Sequence, residues 1–470
     1  YNIDKLTTFG GDQGYDFAQV RNIIVEKKPT LLGPKVGPYD KFGNLYLGPA
    51  YYYLLLPSLV LSNFDPIGPA LFTASIAVLT VLVVYKIALE FLNKQIAIIS
   101  SSFYALNPFL IEQSRAASNP HLTPFFSALT VLALFKIIRG KSKKNIWPLT
   151  IGFCCAVVVQ LHYLGLTLFI VSFFALVLKS PRSLVKFFLS FAITLSPQII
   201  FEMRHQFFIT NLIIKAFTNS NNISLPLSIW NHITTIVLKV NDAINGPNMI
   251  ILIILAIAAL TVFCFKNREK LDILLILFSL TLTTLLAAAL FSGPTQLHYL
   301  VVAYPAYFLL VATGIYQLII ISKNYLYRFI FGFVIVELLT QNVMAINLFS
   351  NQGYTMPEGL NQALIRKTSK IISEDAKNVK SFNIANTLDG DTRAMPYRYL
   401  VSAYGSIPEA VENYPNVQVL YVVTRDDNSK VLEYTVWEIS SFQPFKFAKN
   451  WNMENGIRLL KLEKVSDEKK

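Results

Sequence analysis

The sequence predicts a polytopic α-helical membrane protein ending in a small C-terminal soluble α/β domain. Three observations lead there. Of 470 residues, 53% are hydrophobic and 15% charged, where a soluble chain carries about 25% charged residues; mean hydropathy is +0.47. Apolar segments long enough to be helices recur from residue 68 to 349, and the Lys/Arg clusters between them fall on alternate loops.

A hydrocarbon core of about 30 Å takes about 20 apolar residues per helix. On that basis spans are expected at 69–92, 95–111, 121–139, 146–160, 163–178, 184–201, 248–265, 271–291, 299–322 and 326–349. Those at 95–111, 146–160 and 163–178 are short, which suits thin, tilted or re-entrant segments. Lys94, then Arg139, Lys141, Lys143 and Lys144, then Lys179, Arg182 and Lys186, then Lys266, Arg268 and Lys270, and finally Lys323 and Arg328 mark alternate loops. The intervening short loops carry only Arg115. By the positive-inside rule the first set is cytoplasmic. Residues 1–67, the loop 202–247 and the tail 350–470 are then expected outside, around a transmembrane domain at 68–349. With residue 1 outside, either a leading segment has been removed or a first span precedes the sequence, and a preceding span is the expectation.

The formal charge of +13 is largely accounted for by this topology, so no nucleic-acid partner is implied; the basic loops suit anionic inner-leaflet lipid. Cys154, Cys155 and Cys264 all lie within spans. The exposed parts therefore have no disulfide framework, and the cysteines read as small packing residues.

The tail alternates helical and extended patterns, as a small α/β layer does. Residues 357–376 form an amphipathic helix with Leu360, Leu364, Ile371 and Ile372 on one face. Strands follow at 381–386 and 417–424, helices at 394–405 and 430–440, and a hairpin pairs 444–451 with 456–463. No phosphate loop or metal spacing occurs in it, so the tail is expected to shape or cover a site whose chemistry lies elsewhere.

That chemistry has candidates on the outer side. In a helix over 12–27, Asp12, Asp16 and Gln19 share one face and Phe17, Val20 and Ile24 another, which can lie on the membrane surface. Asp12, following Gly10-Gly11, has two readings: a base facing a cavity, or the cap of its own helix. Further polar groups gather in the outer loops: Glu112-Gln113-Ser114-Arg115 with Ser118-Asn119-Pro120, then Gln160, His162 and Tyr163, then Glu202, Arg204 and His205. A lone external Arg is commonly a headgroup-level residue, and a lone His a structural one. Together, outer cations and an outer carboxylate can hold a phosphate beside a general base.

Asp12-Gln13-Gly14-Tyr15 with Arg21 resembles the first-loop motif of the dolichyl-phosphate-mannose protein mannosyltransferases and bacterial aminoarabinose transferases. Gly48-Pro49-Ala50-Tyr51-Tyr52-Tyr53 with Pro57 resembles their Gly-Pro-x-Tyr-Tyr-Tyr stretch. Ser114-Arg115 before Asn119-Pro120, Phe201-Glu202-x-Arg204-His205, and His298-Tyr299 before Tyr304-Pro305 extend the likeness over about residues 10–310. It implies a GT-C-like fold and a glycosyltransferase in the plasma membrane. The enzyme would take sugar from a polyprenyl-phosphate donor and pass it to a protein, glycolipid or glycan acceptor.

Carried over, Asp12 matches the family's catalytic Asp. Asp16 is a second carboxyl candidate, because the Glu usual after the catalytic Asp is here Gln13. Arg115, Arg204 and His205 occupy outer-side basic positions and are candidates for binding the donor phosphate, and Gln13, Tyr52, Asn119, His162 and His298 are substrate-binding candidates. No cofactor is implied. His162, His205, Glu112 and Glu202 are too dispersed for a metal cage, and a divalent metal is not indicated. The competing readings are a polysaccharide polymerase or ligase, a lipid or solute transporter, and a ligand-binding receptor. A transporter would show repeats and midplane charges, whereas Glu337 is the one acidic residue deep in a span.

Overall fold

The computed structural model describes residues 2–36, 45–140, 146–218, 226–240, 242, 257, 260–261, 268–290, 296–321 and 324–465. Apart from residues 257, 260 and 261, the expected span 248–265 lies outside them, as do the basic residues Lys141, Lys143, Lys144, Lys266 and Lys323 and Cys264.

The described helices form a bundle whose two ends differ in chemistry. Five of them are long and apolar enough to cross a membrane: Ile67–Phe91, Asn119–Ile138, Pro181–Arg204, Leu271–Ala289 and Tyr325–Ala345. Shorter apolar helices cover Ala50–Leu61, Ile146–Leu161, Tyr163–Lys179 and Tyr304–Ile320. The protein is thus a multi-pass membrane protein. Large apolar side chains such as Leu178, Val185, Ile193, Phe329 and Phe333 stand exposed on the helix flanks, where a bilayer would cover them. Small residues hold the interior together. Gly152, Cys154, Cys155 and Ala156 are buried in one helix, and a β-carbon at Gly152 would stand 2.2 Å from the Phe187 carbonyl oxygen of the next. Close backbone approach of this kind replaces the hydrophobic drive that lipid removes.

One end is basic and braced by charge. Lys136 pairs with Glu90 at 2.5 Å and Arg139 with Asp272 at 2.7 Å, while Lys270 donates to the Leu92 carbonyl at 3.3 Å. The loops carrying Lys94, Arg139 and Lys270 therefore meet, as the alternation predicts.

At the opposite end three expectations are corrected. The segment 95–111 is not one span. Helix Lys94–Ala105 stops, and Asn107 caps a second helix, Pro108–Ser114, accepting from the Leu110 amide at 3.1 Å. The segment 299–322 opens with a short 3-10 turn, Leu297–Leu300, before helix Tyr304–Ile321. Third, the apolar face of the Gly11–Val25 helix does not lie on the membrane. Phe17 and Val20 are fully buried, and Phe17 meets the Tyr399 ring of the C-terminal domain edge-on at 5.8 Å.

The tail matches its expected pattern closely. Helix Gln362–Ala376, capped by Asn361, precedes β1 (Phe382–Asn386), helix Met395–Ala403, β2 (Val419–Thr424), β3 (Phe445–Asn452) and β4 (Arg458–Lys464). The sheet order is β1-β2-β4-β3, with β1 parallel to β2 and the rest antiparallel. The region 430–440 holds two short helices, Asn428–Leu432 and Trp437–Ser440, in place of one. Strand β2 is buried throughout because both its faces are covered. Val419, Tyr421 and Val423 join the main core, and Leu420 and Val422 join a second cluster with Tyr414, Ile439 and Phe442.

This domain is clamped to the first loop. Arg366 pairs with Asp65 at 3.0 Å and Asp4 at 3.4 Å. Tyr399 donates to the Phe64 carbonyl at 2.6 Å, and Arg21 to that of Ser402 at 3.2 Å.

Candidate functional site

The Gly11–Val25 helix begins without help from Asp12. Its N-cap is Gly10, and the Gln13 side chain reaches back to accept the Gly10 amide at 2.9 Å, half of a capping box. Gln13 is therefore occupied at least in part with its own helix. Gly14 lets the C-terminal domain in: a β-carbon there would sit 2.4 Å from the Pro396 nitrogen. With the cap assigned elsewhere and the Gly14 side held by packing, Asp12 faces away. Its carboxyl keeps an accessible edge and makes no hydrogen bond to the described residues, while burial of its surroundings raises its pKa above the ordinary value.

Asp16 lies one turn on and is buried. It accepts the Tyr52 hydroxyl at 2.9 Å. Burial raises its pKa well above the usual carboxylate value, the Tyr52 hydrogen bond opposes this, and the charge of Asp12 adds to it. Two carboxyls one turn apart thus sit in different environments, Asp12 accessible and Asp16 buried. The three tyrosines after Pro49 divide likewise. Tyr52 holds Asp16, Tyr53 donates to the Thr30 carbonyl at 2.8 Å, and the hydroxyl of buried Tyr51 has no partner among the described residues.

A belt of loop residues adjoins this helix. Thr8, four residues before Asp12, pairs with Ala116 as an isolated parallel bridge, donating its amide to the Arg115 carbonyl at 3.2 Å and its hydroxyl to Tyr354 at 2.6 Å. Arg115 is half-buried, and one of its nitrogens faces the Asn347 carbonyl at 3.5 Å. Burial lowers its pKa while neighbouring Glu112 opposes that, and burial raises the pKa of Glu112 against the pull of Arg115. The Ala116 carbonyl meets the His121 ring at 2.6 Å. Asn119 donates to the Leu161 carbonyl at 2.6 Å, beside His162, whose ring lies 6.1 Å from His298 and 5.3 Å from Tyr299. Burial pushes His162 down to about 3 and lowers His298, so both are neutral imidazoles at neutral pH. They can hydrogen-bond a ligand but not serve as cations.

The Phe201–His205 group divides. Glu202 is buried and accepts the amides of Ile209 and Thr210, each at 2.9 Å, which is an architectural role at the start of helix Phe208–Thr218. Arg204 is exposed with no ion pair among the described residues. His205 stacks on Phe201 at 4.2 Å and contacts its carbonyl at 2.9 Å. Among the described residues no hydrogen bond or ion pair joins Arg204 or His205 to the Asp12 helix. Among the described residues no three His, Cys, Asp or Glu side chains form a metal-holding group.

Sequence reasoning missed the contribution of the tail. Asp391 packs on Gly11, where a β-carbon would lie 2.9 Å from its Cγ. No spacing in the chain links positions 380 residues apart. The only available signal was the acidic Asp389-Gly390-Asp391 turn just after a strand.

A helical membrane bundle with an accessible carboxylate on a first-loop helix, roofed by a small α/β domain, has the architecture of the GT-C glycosyltransferases. Comparison bears this out. Residues 46–215 match the family model for dolichyl-phosphate-mannose-protein mannosyltransferase. ArnT from Cupriavidus metallidurans bound to undecaprenyl phosphate superposes with a TM-score of 0.62 at 11% identity, over 99% of this chain and 96% of that one. Its apo form gives 0.60 at 11% identity, over 99% and 95%. Archaeal oligosaccharyltransferase AglB from Archaeoglobus fulgidus, in complex with an inhibitory peptide and a dolichol-phosphate, gives 0.53 at 11% identity, over 88% and 65%. No curated protein sequence matches significantly. The chain thus shares the fold of these membrane glycosyltransferases, and its residues 46–215 match the mannosyltransferase family model.

Proposed function

We propose that this protein transfers a sugar from a polyprenyl-phosphate donor to an acceptor hydroxyl on the extracytoplasmic side of the membrane, with inversion at the anomeric carbon. The acceptor oxygen attacks C1 as the C1–O bond to phosphate breaks. Its proton passes to Asp12, and the polyprenyl phosphate leaves with the bonding electrons. A positioned base of this kind contributes roughly 10²–10⁴-fold. Arg115, with Arg204 and His205, would meet the negative charge developing on the phosphate, where losing one fixed donor costs about 2.7–4 kcal/mol. Asp16 supports Asp12 from within. Asn119, His162 and His298 line the neighbouring belt as neutral partners for sugar or phosphate oxygens.

The observation that carries this reading is the freedom of Asp12: neither cap nor core residue, it is an accessible carboxyl whose surroundings raise its pKa above the ordinary value. The bundle end holding it is opposite the basic loops, which the positive-inside rule makes extracytoplasmic.

The test is incubation of purified protein with radiolabelled undecaprenyl- and dolichyl-phosphate sugars in the presence of membrane extract. Label should move from at least one donor to protein, glycolipid or glycan, and Asp12→Asn should abolish that transfer in folded protein. Transfer that persists in the Asp12→Asn protein, or no transfer from any donor, overturns the reading. Cysteines placed at Asn378 and Ser142 should react with impermeant and permeant reagents respectively; equal labelling would overturn the sidedness.

A further inference from the structure

Three imidazoles stand at the same end of the bundle as Asp12, and the backbone fixes the proton on two of them. His162 caps its own turn: its Nδ1 accepts the Leu164 amide at 3.2 Å. Nδ1 therefore carries the lone pair, and the proton of the neutral ring sits on Nε2. His121 is the reverse. Its Nδ1 lies 2.6 Å from the Ala116 carbonyl oxygen, which can only accept, so the proton sits on Nδ1 and Nε2 is left as an acceptor. Neither Nε2 has a hydrogen-bond partner among the described residues, and both rings keep part of their surface. The His298 ring adjoins that of His162 at 6.1 Å, and Tyr299 buttresses both, 5.3 Å from His162 and 4.8 Å from His298.

The turns that carry these rings are tied to one another and to the Asp12 helix. Turn Asn119–Leu122 packs on turn Leu297–Leu300, and Asn119 donates at 2.6 Å to the carbonyl of Leu161, the residue before His162. On one side Ala116, the partner of His121, bridges to Thr8, four residues before Asp12. On the other side Gln160 packs against Gly48, where a β-carbon would stand 2.3 Å from the Gln160 Cγ. Gly48 lies four residues before Tyr52, the partner of Asp16. Imidazoles and carboxyls thus belong to one ring of contacts.

We infer that His121, His162 and His298 form the subsite that recognises the hydroxyls of the transferred sugar, with His162 donating from Nε2 and His121 accepting at Nε2, and that the sugar is an uncharged one. This rests on the reading of the protein as a polyprenyl-phosphate sugar transferase. A hydroxyl both donates and accepts, so hydroxyls satisfy this pair of nitrogens together. A phosphate oxygen only accepts, and it would set its lone pairs against that of His121. An imidazole of ordinary pKa is mostly neutral at pH 7, and burial lowers the pKa of His162 and His298 further. The three rings therefore offer no counter-charge to a sugar ammonium or carboxylate, whose desolvation would go uncompensated there. Phosphate recognition stays with Arg115. Sites built to hydrogen-bond a hydroxyl discriminate well, because their own polar atoms go unpaired when it is missing.

Binding tests this without turnover. The full chain in detergent is titrated with undecaprenyl-phosphate glucose and undecaprenyl-phosphate mannose, and in parallel with bare undecaprenyl phosphate. His162→Asn keeps an oxygen near Nδ1 for the Leu164 amide, and His121→Asn keeps an N–H for the Ala116 carbonyl; each deletes the Nε2 group. Each should weaken the tighter-binding glycosyl lipid about 3–10-fold and leave bare undecaprenyl phosphate unchanged. His162→Gln, which returns an N–H near the Nε2 position, should recover most of the loss. If one Asn variant fails to fold, the other carries the test alone. Equal losses for glycosyl lipid and bare phosphate, or no loss for either, overturn the subsite. Undecaprenyl-phosphate aminoarabinose, with its ammonium, should bind the wild type more weakly than the neutral donors, and tighter binding overturns the choice of an uncharged sugar. A protein that discriminates through these histidines but moves no sugar would leave the subsite standing and overturn the proposed function instead.

Discussion

Gly14 and Pro396 meet so closely that a β-carbon on Gly14 would stand 2.4 Å from the Pro396 nitrogen and 2.5 Å from the Met395 carbonyl carbon. The contact joins the helix bearing Asp12 to the C-terminal domain, so the geometry of the site and the docking of the domain are one structural fact. Since backbone cannot yield as a flexible side chain can, Gly14→Ala should destabilise the protein by about 1–3 kcal/mol, as overpacking does. Thermal unfolding in detergent and faster proteolysis near residues 350–360 would report it. A Gly14→Ala protein with wild-type Tm and protease resistance would contradict the contact.

Asp12 and Gln13 should separate chemistry from stability. Asp12→Asn is expected to reduce transfer by at least about 100-fold with the fold unchanged. Gln13→Ala removes the side chain that satisfies the Gly10 amide and should cost about 1 kcal/mol. The reverse pattern, with Asp12 needed for stability and Gln13 silent, would return Asp12 to a capping role.

Asp16 is buried and held by Tyr52, so its loss should be felt through Asp12. Asp16→Asn and Tyr52→Phe should each lower kcat less than Asp12→Asn does. Kinetics of the three variants on one donor rank them directly, and an Asp16→Asn defect equal to that of Asp12→Asn would make Asp16 the base.

Arg115 and Arg204 are expected to differ. Arg115 is half-buried beside the Thr8 bridge, four residues before Asp12, whereas Arg204 is exposed and unpaired among the described residues. Arg115→Ala should weaken donor binding tenfold or more, on the scale of about 1.5–3 kcal/mol for a charge-assisted hydrogen bond. Arg115→Lys should recover only part, since ammonium lacks the planar fork. Donor affinity measured in detergent removes any lipid-anchoring contribution, and unchanged affinity in Arg115→Ala would take it out of the site.

Stability should fall as pH rises through the range where Asp391 ionises. Its folded pKa is raised to about 6 by burial, above the ordinary value of about 3.9. The folded state therefore binds the proton more tightly, and the stabilisation, complete at low pH, is lost between about 4 and 6. Asp375, lowered by hydrogen bonds from Lys461 and Tyr421 that outweigh its partial burial, acts in the opposite sense only at more acid pH. Between about pH 4 and 6, wild-type Tm should drop and Asp391→Asn should flatten that drop.

Much of the architecture was legible because it follows local rules. Apolar length sets the spans, Lys and Arg set their alternation, and the continuous apolar run of β2 and the 3.6-residue face of Gln362–Ala376 announce the tail. Breaks inside apolar runs were harder to read. The Asn107-Pro108 stop in 95–111 is a local signal that hydropathy hides, because the helices on both sides of it are equally apolar. Within the site, Asp12 and Tyr52 stand out by motif, but their partners do not.

The sequence by itself determined that this is a many-span helical membrane protein with a small α/β domain, and that its acidic and basic groups gather at the end opposite the Lys-rich loops. Tertiary structure alone decided that the apolar face of the Asp12 helix packs on Met395–Ala403 and not on lipid, that Gln13 and not Asp12 serves the helix start, and that Asp391 rests on Gly11. The reason is physical. Hydropathy and helix periodicity are properties of neighbouring residues, whereas the proton affinity of a carboxyl depends on which distant groups exclude its water and share its field, and only the closed fold brings residues 11 and 391 together.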